Sequence, residues 1–349
     1  MPLSVDIEKQ LGDFCLQVQF SADDQPMALL GASGCGKSLT LRCIAGILRP
    51  DRGRIVLNGQ VLFDSAAKID LPPQQRHVGY LFQQYALFPH LTVRKNIACA
   101  IADRRRREQL TVEKLRQFQL EEIADLRPSQ ISGGQQQRTA LARILASEPH
   151  AILLDEPLSA LDSYLRYQLE LELTEALEAF SGPVIWVSHD RGEAFRTCQT
   201  VCVLDRGQSQ PTTSMDMLFR HPGTEAAARL SGCKNYADAI PRGQAVFLPE
   251  WGLTLPCGRP VPPSVDRIGL RAHHIHPARD GFPCRVLRVV EDVFSTIVLL
   301  LPDGASPSAP PLRMELEKAV WQKLPDQTHL SVSIDPAQIL LLESKGGTP

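Results

Sequence analysis

The sequence predicts an α/β fold built on a parallel sheet, followed by a smaller all-β domain. Apolar runs of strand length alternate with segments of helical periodicity up to about residue 207, and several of these runs end in polar residues. A glycine-rich stretch, Gly31 to Ser38, stands between one apolar run and the helical segment after it. Alternating strands and helices favour a parallel sheet with its site at the carboxyl ends of the strands. From about residue 233 onward, short strand-like runs separated by prolines favour a small antiparallel barrel or sandwich instead.

Length and composition limit the possible classes of protein. The 349 residues exceed the roughly 250–300 at which a single core stops growing, so we expect two domains, residues 1–232 and 233–349. With a net charge of −2, the chain has no excess of Lys and Arg over acidic residues, so we expect no nucleic-acid partner. No apolar run approaches the roughly 18 residues of a membrane span and no signal pattern opens the chain, which favours a soluble cytosolic chain. Nine cysteines without a C-x-x-C pair predict reduced thiols rather than disulfides or a zinc site.

The stretch GASGCGKS fits the phosphate-binding pattern G-x-x-x-x-G-K-[ST]. It follows the apolar run Met27 to Leu30 and precedes a helical segment, which is the context that this loop requires. Glycines allow successive N–H groups to point inward, the new helix adds its positive end, and Lys37 can reach the terminal phosphates. Ser38 is then expected to ligate Mg²⁺. The stretch predicts a nucleoside triphosphate site made of Gly31, Ala32, Ser33, Gly34, Cys35, Gly36, Lys37, Ser38 and Leu39.

The elements around this loop follow from local patterns. Alternation from Phe14 to Phe20 predicts a half-buried strand before the loop. After it, the runs 54–57 and 60–63 flank Asn58-Gly59, which predicts a hairpin. A further strand is predicted to end at Gln83.

The second half of the first domain continues the alternation. Charged helical segments occupy residues 92–127, and the run ISGGQQQR opens another helix at about residue 133. The run AILLDEP predicts a buried strand that ends in Asp155 and Glu156. A helix over residues 164–180 and a strand that ends at His189 follow.

Four polar side chains at these strand ends suit phosphoryl transfer, which requires positioning and charge neutralisation. Asp155 is placed to hold the Mg²⁺ that Ser38 touches, and Gln83 can reach Mg²⁺ or the attacking water. Glu156 faces the other way, because successive residues leaving a strand point to opposite sides, so we expect it to contact the water as a base. His189 can donate to the γ-phosphate. A lone glutamine after a strand is usually a surface residue and a lone histidine a structural one, so their joint placement carries the catalytic interpretation.

The order of these motifs resembles the nucleotide-binding subunits of ABC transporters over about residues 1–232. It comprises the phosphate loop, Gln83, ISGGQ at 131–135, LLDEPLSALD at 153–162, and His189. The resemblance implies a P-loop NTPase cassette that hydrolyses ATP with Mg²⁺. Its RecA-like parallel sheet core is expected to carry antiparallel β and helical subdomains.

The resemblance also implies partners. Two copies are expected to pack head to tail, so that the signature of one caps the ATP held by the other and a monomer hydrolyses poorly. The signature residues in this sequence are Ser132, Gly133, Gly134 and Gln135. A separate membrane permease, which works with an external solute-binding protein, is expected to hold the chain at the cytoplasmic face of the membrane. The apolar residues that suit contact with the permease are Tyr85, Leu87, Phe88 and Leu91, although for each of them ordinary packing within the helical subdomain is the alternative.

Two positions depart from the family pattern or leave alternatives open. Ile131 stands where the family usually has Leu, a change of shape only. Phe14 is the candidate for stacking on adenine, yet it shares a face with Leu16 and Val18 and can equally be a core residue. Cys35, inside the phosphate loop, is expected to be a small spacer; a redox switch is the alternative, because a helix N-terminus lowers a thiol pKa.

The C-terminal segment resembles a regulatory domain of the molybdate-pterin-binding type, through IGLRAHHI and CRVLRVVEDVFSTIVLLL. This favours a molybdate or sulfate importer, whereas importers of ferric iron, polyamines, sugars and quaternary amines or other osmolytes share the same arrangement. The run His273, His274 and His276 lacks a cysteine or carboxylate framework, so we expect no metal there. The alternatives are a non-transport cassette ATPase and, for the C-terminal domain, a sensor of the transported anion.

Overall fold

The computed structural model describes residues 3–159, 163–178 and 180–343. The last three residues of the LLDEPLSALD motif, 160–162, lie outside the described residues. The chain divides into two compact units, Met1–Met215 and Asp216–Pro349. The domain boundary expected between residues 232 and 233 stays a prediction.

Twelve strands in the described part of the first unit join in one sheet. These strands are β1 Leu3–Leu11, β2 Phe14–Ala22, β3 Met27–Leu30, β4 Arg52–Leu57, β5 Gln60–Asp64, β6 Ile69–Asp70, β7 Val78–Leu81, β8 Ala151–Asp155, β9 Val184–Val187, β10 Thr200–Asp205, β11 Gln208–Ser209 and β12 Thr213–Ser214. One half, in the order β10-β3-β9-β8-β7, is parallel. The other half, in the order β2-β1-β4-β5-β6, is antiparallel. The predicted parallel core with an antiparallel β subdomain is confirmed.

The helices of the first unit connect these strands. They are α1 Lys37–Ala45, α2 Pro73–Arg76, α3 Val93–Ala98, α4 Arg107–Gln117, α5 Gly133–Ala146, α6 Ser163–Glu178 and α7 Arg191–Thr197. Helices α3, α4 and α5 pack against one another as a helical subdomain. In the described residues, no helix of either unit combines the length and apolar character needed to cross a membrane.

The core of the first unit explains why the central strands are so apolar. Every residue of β3, β8 and β9 is buried, as expected for parallel strands covered on both faces. The strand predicted at Met27 to Leu30 and the hairpin at Asn58-Gly59 are confirmed. Two strands end earlier than predicted: β7 ends at Leu81 and β9 at Val187, so Gln83 and His189 each lie two residues beyond a strand.

The second unit consists mainly of strands in three sheets. They are β13 Asn235–Asp238, β14 Ile240–Arg242, β15 Ala245–Leu248, β16 Leu253–Pro256, β17 Arg267–Leu270, β18 Ile275–Glu291, β19 Ser295–Pro302, β20 Leu312–Glu317, β21 His329–Ile334 and β22 Leu340–Leu342. The sheets have the orders β13-β17-β22, β14-β15-β16 and β20-β19-β18-β21. Short helices α8 Met215–Arg220, α9 Glu225–Leu230 and α10 Lys318–Gln322 complete the described elements. The C-terminal all-β character is confirmed.

Candidate functional site

The phosphate loop turns between β3 and α1. Residues Gly31 to Gly36 form the turn, and Lys37, Ser38 and Leu39 begin the helix. Gly36 is the N-cap with φ 109°, and no side chain caps the helix start. This leaves the first amides of α1 without a side-chain acceptor, which is the arrangement that anion binding at a helix N-terminus uses.

Lys37 is buried beside its own loop. Its side chain is 7% exposed, and Nζ donates to the carbonyl oxygens of Gly31 at 2.8 Å and Ala32 at 3.0 Å. Among the described residues no carboxylate forms an ion pair with Lys37. A buried cation bonded to neutral groups calls for a negatively charged partner.

Asp155 ends strand β8 and is 6% exposed. Ser38 Oγ donates to its Oδ1 at 2.8 Å, and Tyr80 OH donates to its Oδ2 at 2.8 Å. Burial and the adjacent Asp155 carboxylate raise the pKa of Tyr80 above its usual range, although Arg42 acts in the opposite direction. The phenol therefore stays protonated and donates to the carboxylate.

Glu156 has a different set of partners from its neighbour. Its backbone is left-handed, with φ 50°. Gln83 Nε2 donates to Glu156 Oε2 at 3.4 Å, and His189 Nδ1 lies 3.3 Å from the same oxygen. Ser159 also belongs to this group, because Gln83 Nε2 lies 3.5 Å from Ser159 Oγ. The structure thus brings Gln83, Glu156 and His189 together.

A buried network lies under His189. Glu193 of α7 is 4% exposed and accepts hydrogen bonds from Trp186 Nε1 at 2.6 Å and Ser188 Oγ at 2.9 Å. Ser188 Oγ also accepts from the backbone N–H of Asp190 at 2.9 Å. Burial raises the pKa of the Glu193 carboxyl above its ordinary value. The residues on both sides of His189 are therefore fixed by hydrogen bonds.

The signature residues form the start of helix α5. Ser132 is the N-cap, and its Oγ accepts from the N–H of Gln135 at 3.3 Å. The Gln135 side chain accepts in return from the N–H of Ser132 at 2.9 Å, while Gly133 and Gly134 open the helix. Within the described parts of the chain, no hydrogen bond joins Ser132 or Gln135 to the phosphate loop. The capping box thus occupies the N–H groups of Ser132 and Gln135.

The apolar segment after Gln83 is only partly available for contact. Phe88 is 46% exposed, whereas Tyr85 is 5% exposed, so for Tyr85 the structure favours the packing alternative. Arg143 of α5 donates to the carbonyl oxygens of Tyr85 at 3.1 Å and Ala86 at 2.9 Å. Its guanidinium also lies 5.5 Å from the centre of the Phe88 ring. This segment is thus attached to the helix that carries the signature.

Two residues near the loop had alternative interpretations. Phe14 is half-buried and packs against the core, and its ring carbon Cζ lies 3.3 Å from where a β-carbon on Gly36 would stand. Phe14 therefore touches both core and loop, and its stacking role stays a prediction. Cys35 is 5% exposed, and burial raises its pKa despite the nearby Lys37. A raised pKa agrees with the spacer interpretation and contradicts the lowered pKa that a redox switch needs.

The histidines of the second unit lie near one another. The rings of His273 and His274 are 4.3 Å apart, edge to face. Burial lowers the pKa of His274 to about 4, and the nearby His273, Arg271 and His276 side chains act in the same direction. In the part of the chain that the structure describes, no group of three His, Cys, Asp or Glu residues is arranged to hold a metal ion.

Sequence reasoning did not select Tyr80, Ser159, Arg143 or Glu193. Tyr80 stands inside the run that is predicted as a strand ending at Gln83, without a role of its own. Arg143 and Glu193 are inside helical segments, where a single charged residue is usually a surface residue. A signal did exist for Tyr80, since it precedes Gln83 by three residues and its phenolic hydroxyl needs a partner once buried.

Comparisons with known proteins agree with this arrangement. The family described as ABC transporter matches residues 17–159. The dimeric structure of the ATP-binding cassette MJ0796 bound to ADP and Pi is 28% identical, with a TM-score of 0.52, over 62% of this chain and 99% of that one. This similarity concerns the cassette fold.

Relatives with curated names extend the match. The molybdenum import ATP-binding protein ModC of Paramagnetospirillum magneticum is 37% identical over 63% of this chain, but the match spans only 61% of that relative. The sulfate/thiosulfate import ATP-binding protein CysA of Synechocystis sp. is 37% identical, over 69% of this chain and 67% of the relative. The spermidine/putrescine import ATP-binding protein PotA of Acidothermus cellulolyticus is 38% identical, over 76% and 72% respectively. The motifs, the cassette fold and these relatives agree: the chain belongs to the ABC transporter family, among its ATP-binding proteins.

Proposed function

We propose that the chain binds ATP with Mg²⁺ and hydrolyses it as the ATP-driven subunit of an importer. The observation that carries the proposal is the division of two adjacent carboxylates between two sets of partners. Asp155 bonds to Ser38 of the phosphate loop, whereas Glu156 lies beside Gln83 and His189. One carboxylate is thus available to the metal and the other to the attacking water.

The residues present fit a magnesium triphosphate. The buried Lys37 has no acidic partner in the described residues, and the α1 N-terminus has no side-chain cap. Ser38 Oγ and Asp155 Oδ1 are adjacent oxygens of the kind that Mg²⁺ prefers alongside substrate phosphates. When bound, Mg²⁺ would neutralise charge on the transferred phosphoryl group.

The chain's own residues then have defined tasks. Lys37 and the α1 amides hold the phosphates, and Glu156 takes a proton from the attacking water. His189 orients Glu156 and donates to the γ-phosphate. Gln83 holds the Glu156 carboxylate in position beside the attacking water. The signature of a second copy, Ser132 to Gln135, completes the site, so the active form is a head-to-tail dimer. Phe14 contributes to the adenine contact.

The test of hydrolysis is Glu156→Gln. General base catalysis contributes about 10²–10⁴-fold, so we expect turnover to fall by that factor while ATP-dependent dimerisation persists. Glu148→Gln is the matched control, because Glu148 has the same left-handed φ of 50° and its exposed carboxylate pairs with Arg106 away from the site. Steady-state phosphate release and size-exclusion chromatography measure the two properties. Normal turnover in Glu156→Gln would refute the assignment of the base.

For the transported solute we propose an oxyanion of the molybdate or sulfate class. The relatives named for molybdenum and for sulfate or thiosulfate import support it, as does the C-terminal all-β region. A polyamine is the second candidate, because the spermidine/putrescine relative matches the larger share of both chains. Partners in either case are a membrane permease, at whose cytoplasmic face the chain would act, and a solute-binding protein acting through it.

The solute is tested in the assembled transporter. ATP hydrolysis by the chain with its permease is measured while the binding protein is loaded with molybdate, sulfate or spermidine. Stimulation by one of the oxyanions supports the first proposal, and stimulation by spermidine alone supports the second. Melting of the full chain with added molybdate, tungstate or sulfate tests whether residues 233–349 act as an anion sensor, since a bound ligand raises the melting temperature.

A further inference from the structure

Tyr80 occupies a position that none of the nucleotide motifs covers. It lies in β7, next to β8 in the parallel sheet, and is 9% exposed. Its ring meets the ring of Phe82 edge to face, with centroids 4.2 Å apart. These contacts direct the hydroxyl to Asp155 Oδ2, at 2.8 Å.

The Asp155 carboxylate is held at both oxygens. Ser38 Oγ bonds to Oδ1 and Tyr80 OH bonds to Oδ2, each at 2.8 Å. A carboxylate held at one oxygen only can rotate about its last torsion, which is a soft torsion in Asp. The phenolic hydroxyl therefore fixes the plane of the carboxylate, so that one oxygen stays directed at Ser38.

We propose that Tyr80 is a positioning residue for Mg²⁺: by bonding to Oδ2 of Asp155, it keeps Oδ1 beside Ser38 for the metal. This inference rests on the proposed function. Outer partners of metal ligands typically change metal affinity by about 10–100-fold when they are removed. Loss of the hydroxyl should act on metal affinity and leave metal-free nucleotide binding as it is.

A purely structural role makes a different prediction. If the hydroxyl only satisfies a buried donor, its removal lowers the stability of the fold and leaves the affinity for metal unchanged. The two roles are separated by measuring metal affinity together with stability. Tyr80→Phe is suited to this because it removes the hydroxyl and keeps the ring that packs on Phe82.

The chain offers a matched control five residues away. Tyr85 is also buried, at 5% exposure, but among the residues that the structure describes its hydroxyl has no hydrogen-bond partner. Tyr85→Phe removes the same atoms from the same segment without touching Asp155. We therefore expect it to keep the metal affinity of the unchanged chain.

The experiment uses the full chain saturated with a non-hydrolysable ATP analogue. Binding of Mn²⁺, as a paramagnetic substitute for Mg²⁺, is followed by electron paramagnetic resonance, and binding of a fluorescent ATP analogue is measured in EDTA. For Tyr80→Phe we expect the Kd of the metal to rise about tenfold or more, with analogue binding in EDTA unchanged. Melting curves establish that each variant is folded, and Tyr80→Met replaces the Phe variant if the latter does not melt cooperatively.

The outcomes separate this inference from the function on which it rests. A folded Tyr80 variant with unchanged metal affinity overturns the inference and leaves the ATPase proposal in place. An equal loss in Tyr85→Phe also overturns it, because the effect would then not depend on Asp155. If the unchanged chain shows no metal-dependent binding of nucleotide, the proposed function itself is wrong.

Discussion

Two helices of the first unit begin at glycine-rich stretches, and their N-termini differ. Helix α1 begins after Gly36, which has a φ of 109°. Among the described residues, no side chain caps this helix. Helix α5 begins after Ser132, which forms a complete capping box with Gln135. At α5 the capping box occupies the N–H groups of Ser132 and Gln135, whereas at α1 no side chain of the described residues accepts from an N–H of the first turn. The two halves of the proposed composite site therefore differ in how many N–H groups their own chain already uses.

The largest effect is expected for Gly36→Ala, at the N-terminus of α1. A β-carbon there would stand 2.5 Å from Leu16 Cδ1, at a φ that side chains rarely adopt. Strain of this kind costs about 1–3 kcal/mol, so we expect lower stability and weaker ATP binding as α1 shifts. Thermal melting and binding of a fluorescent ATP analogue measure both.

Gly34→Ala is the control for this substitution. Gly34 also has a positive φ, 79°, but no atom lies within 4 Å of the added β-carbon. We expect only the cost of the left-handed backbone, about 1–2 kcal/mol. If Gly34→Ala were the more damaging of the two, the close approach of Leu16 to the loop would not explain the role of Gly36.

The second largest effect is expected for Ser132→Ala, at the capped N-terminus of α5. Loss of an N-cap costs about 1 kcal/mol, so α5 should lose stability while ATP binding by a single chain persists. We also expect ATP-dependent dimerisation to fail, because the signature of one copy would no longer bind the γ-phosphate held by the other. Analytical ultracentrifugation with ATP, in the Glu156→Gln background, measures this.

Thr92→Ala supplies the comparison for that variant. Thr92 caps α3 through a bond from Lys95 N–H at 3.3 Å, the same length as the Ser132 bond. We expect a similar loss of stability with dimerisation intact. Equal loss of dimerisation in both variants would mean that cap strength, and not the signature, governs assembly.

The smallest effect is expected for Gln135→Ala. The Gln135 side chain provides the return bond of the capping box on an exposed surface. Surface substitutions usually stay within about 0.5 kcal/mol, so denaturant unfolding should be nearly unchanged. A loss as large as that of Ser132→Ala would show that the two bonds of the box form only together.

Much of the first unit could be predicted from the sequence, for physical reasons. The strand at Met27 to Leu30 is buried on both faces, so its apolar run and its bounds coincide. Gln83 and His189 are predicted at strand ends, but each lies two residues beyond, because the strand pairing stops at Leu81 and Val187 and one further residue, Phe82 or Ser188, precedes the site residue.

The rest could not be predicted because it depends on contacts distant in sequence. Tyr80 and Asp155 are 75 positions apart, and only the parallel pairing of β7 with β8 brings them together. In the second unit, strands β13 to β16 and β22 were not predicted, since each has only three or four residues and turns interrupt the pattern.

The segment after Gln83 combines features that raise its energy. Tyr85 and Ala86 are consecutive non-glycine residues with left-handed backbones, at φ 58° and 44°. Each left-handed residue costs about 1–2 kcal/mol of stability. The buried Tyr85 hydroxyl, which has no hydrogen-bond partner among the described residues, adds the desolvation cost of an unsatisfied polar group. The two carbonyl bonds from Arg143 oppose this. We therefore expect the segment to open locally at lower free energy than the sheet beside it, so its amide protons should exchange with solvent before those of β7.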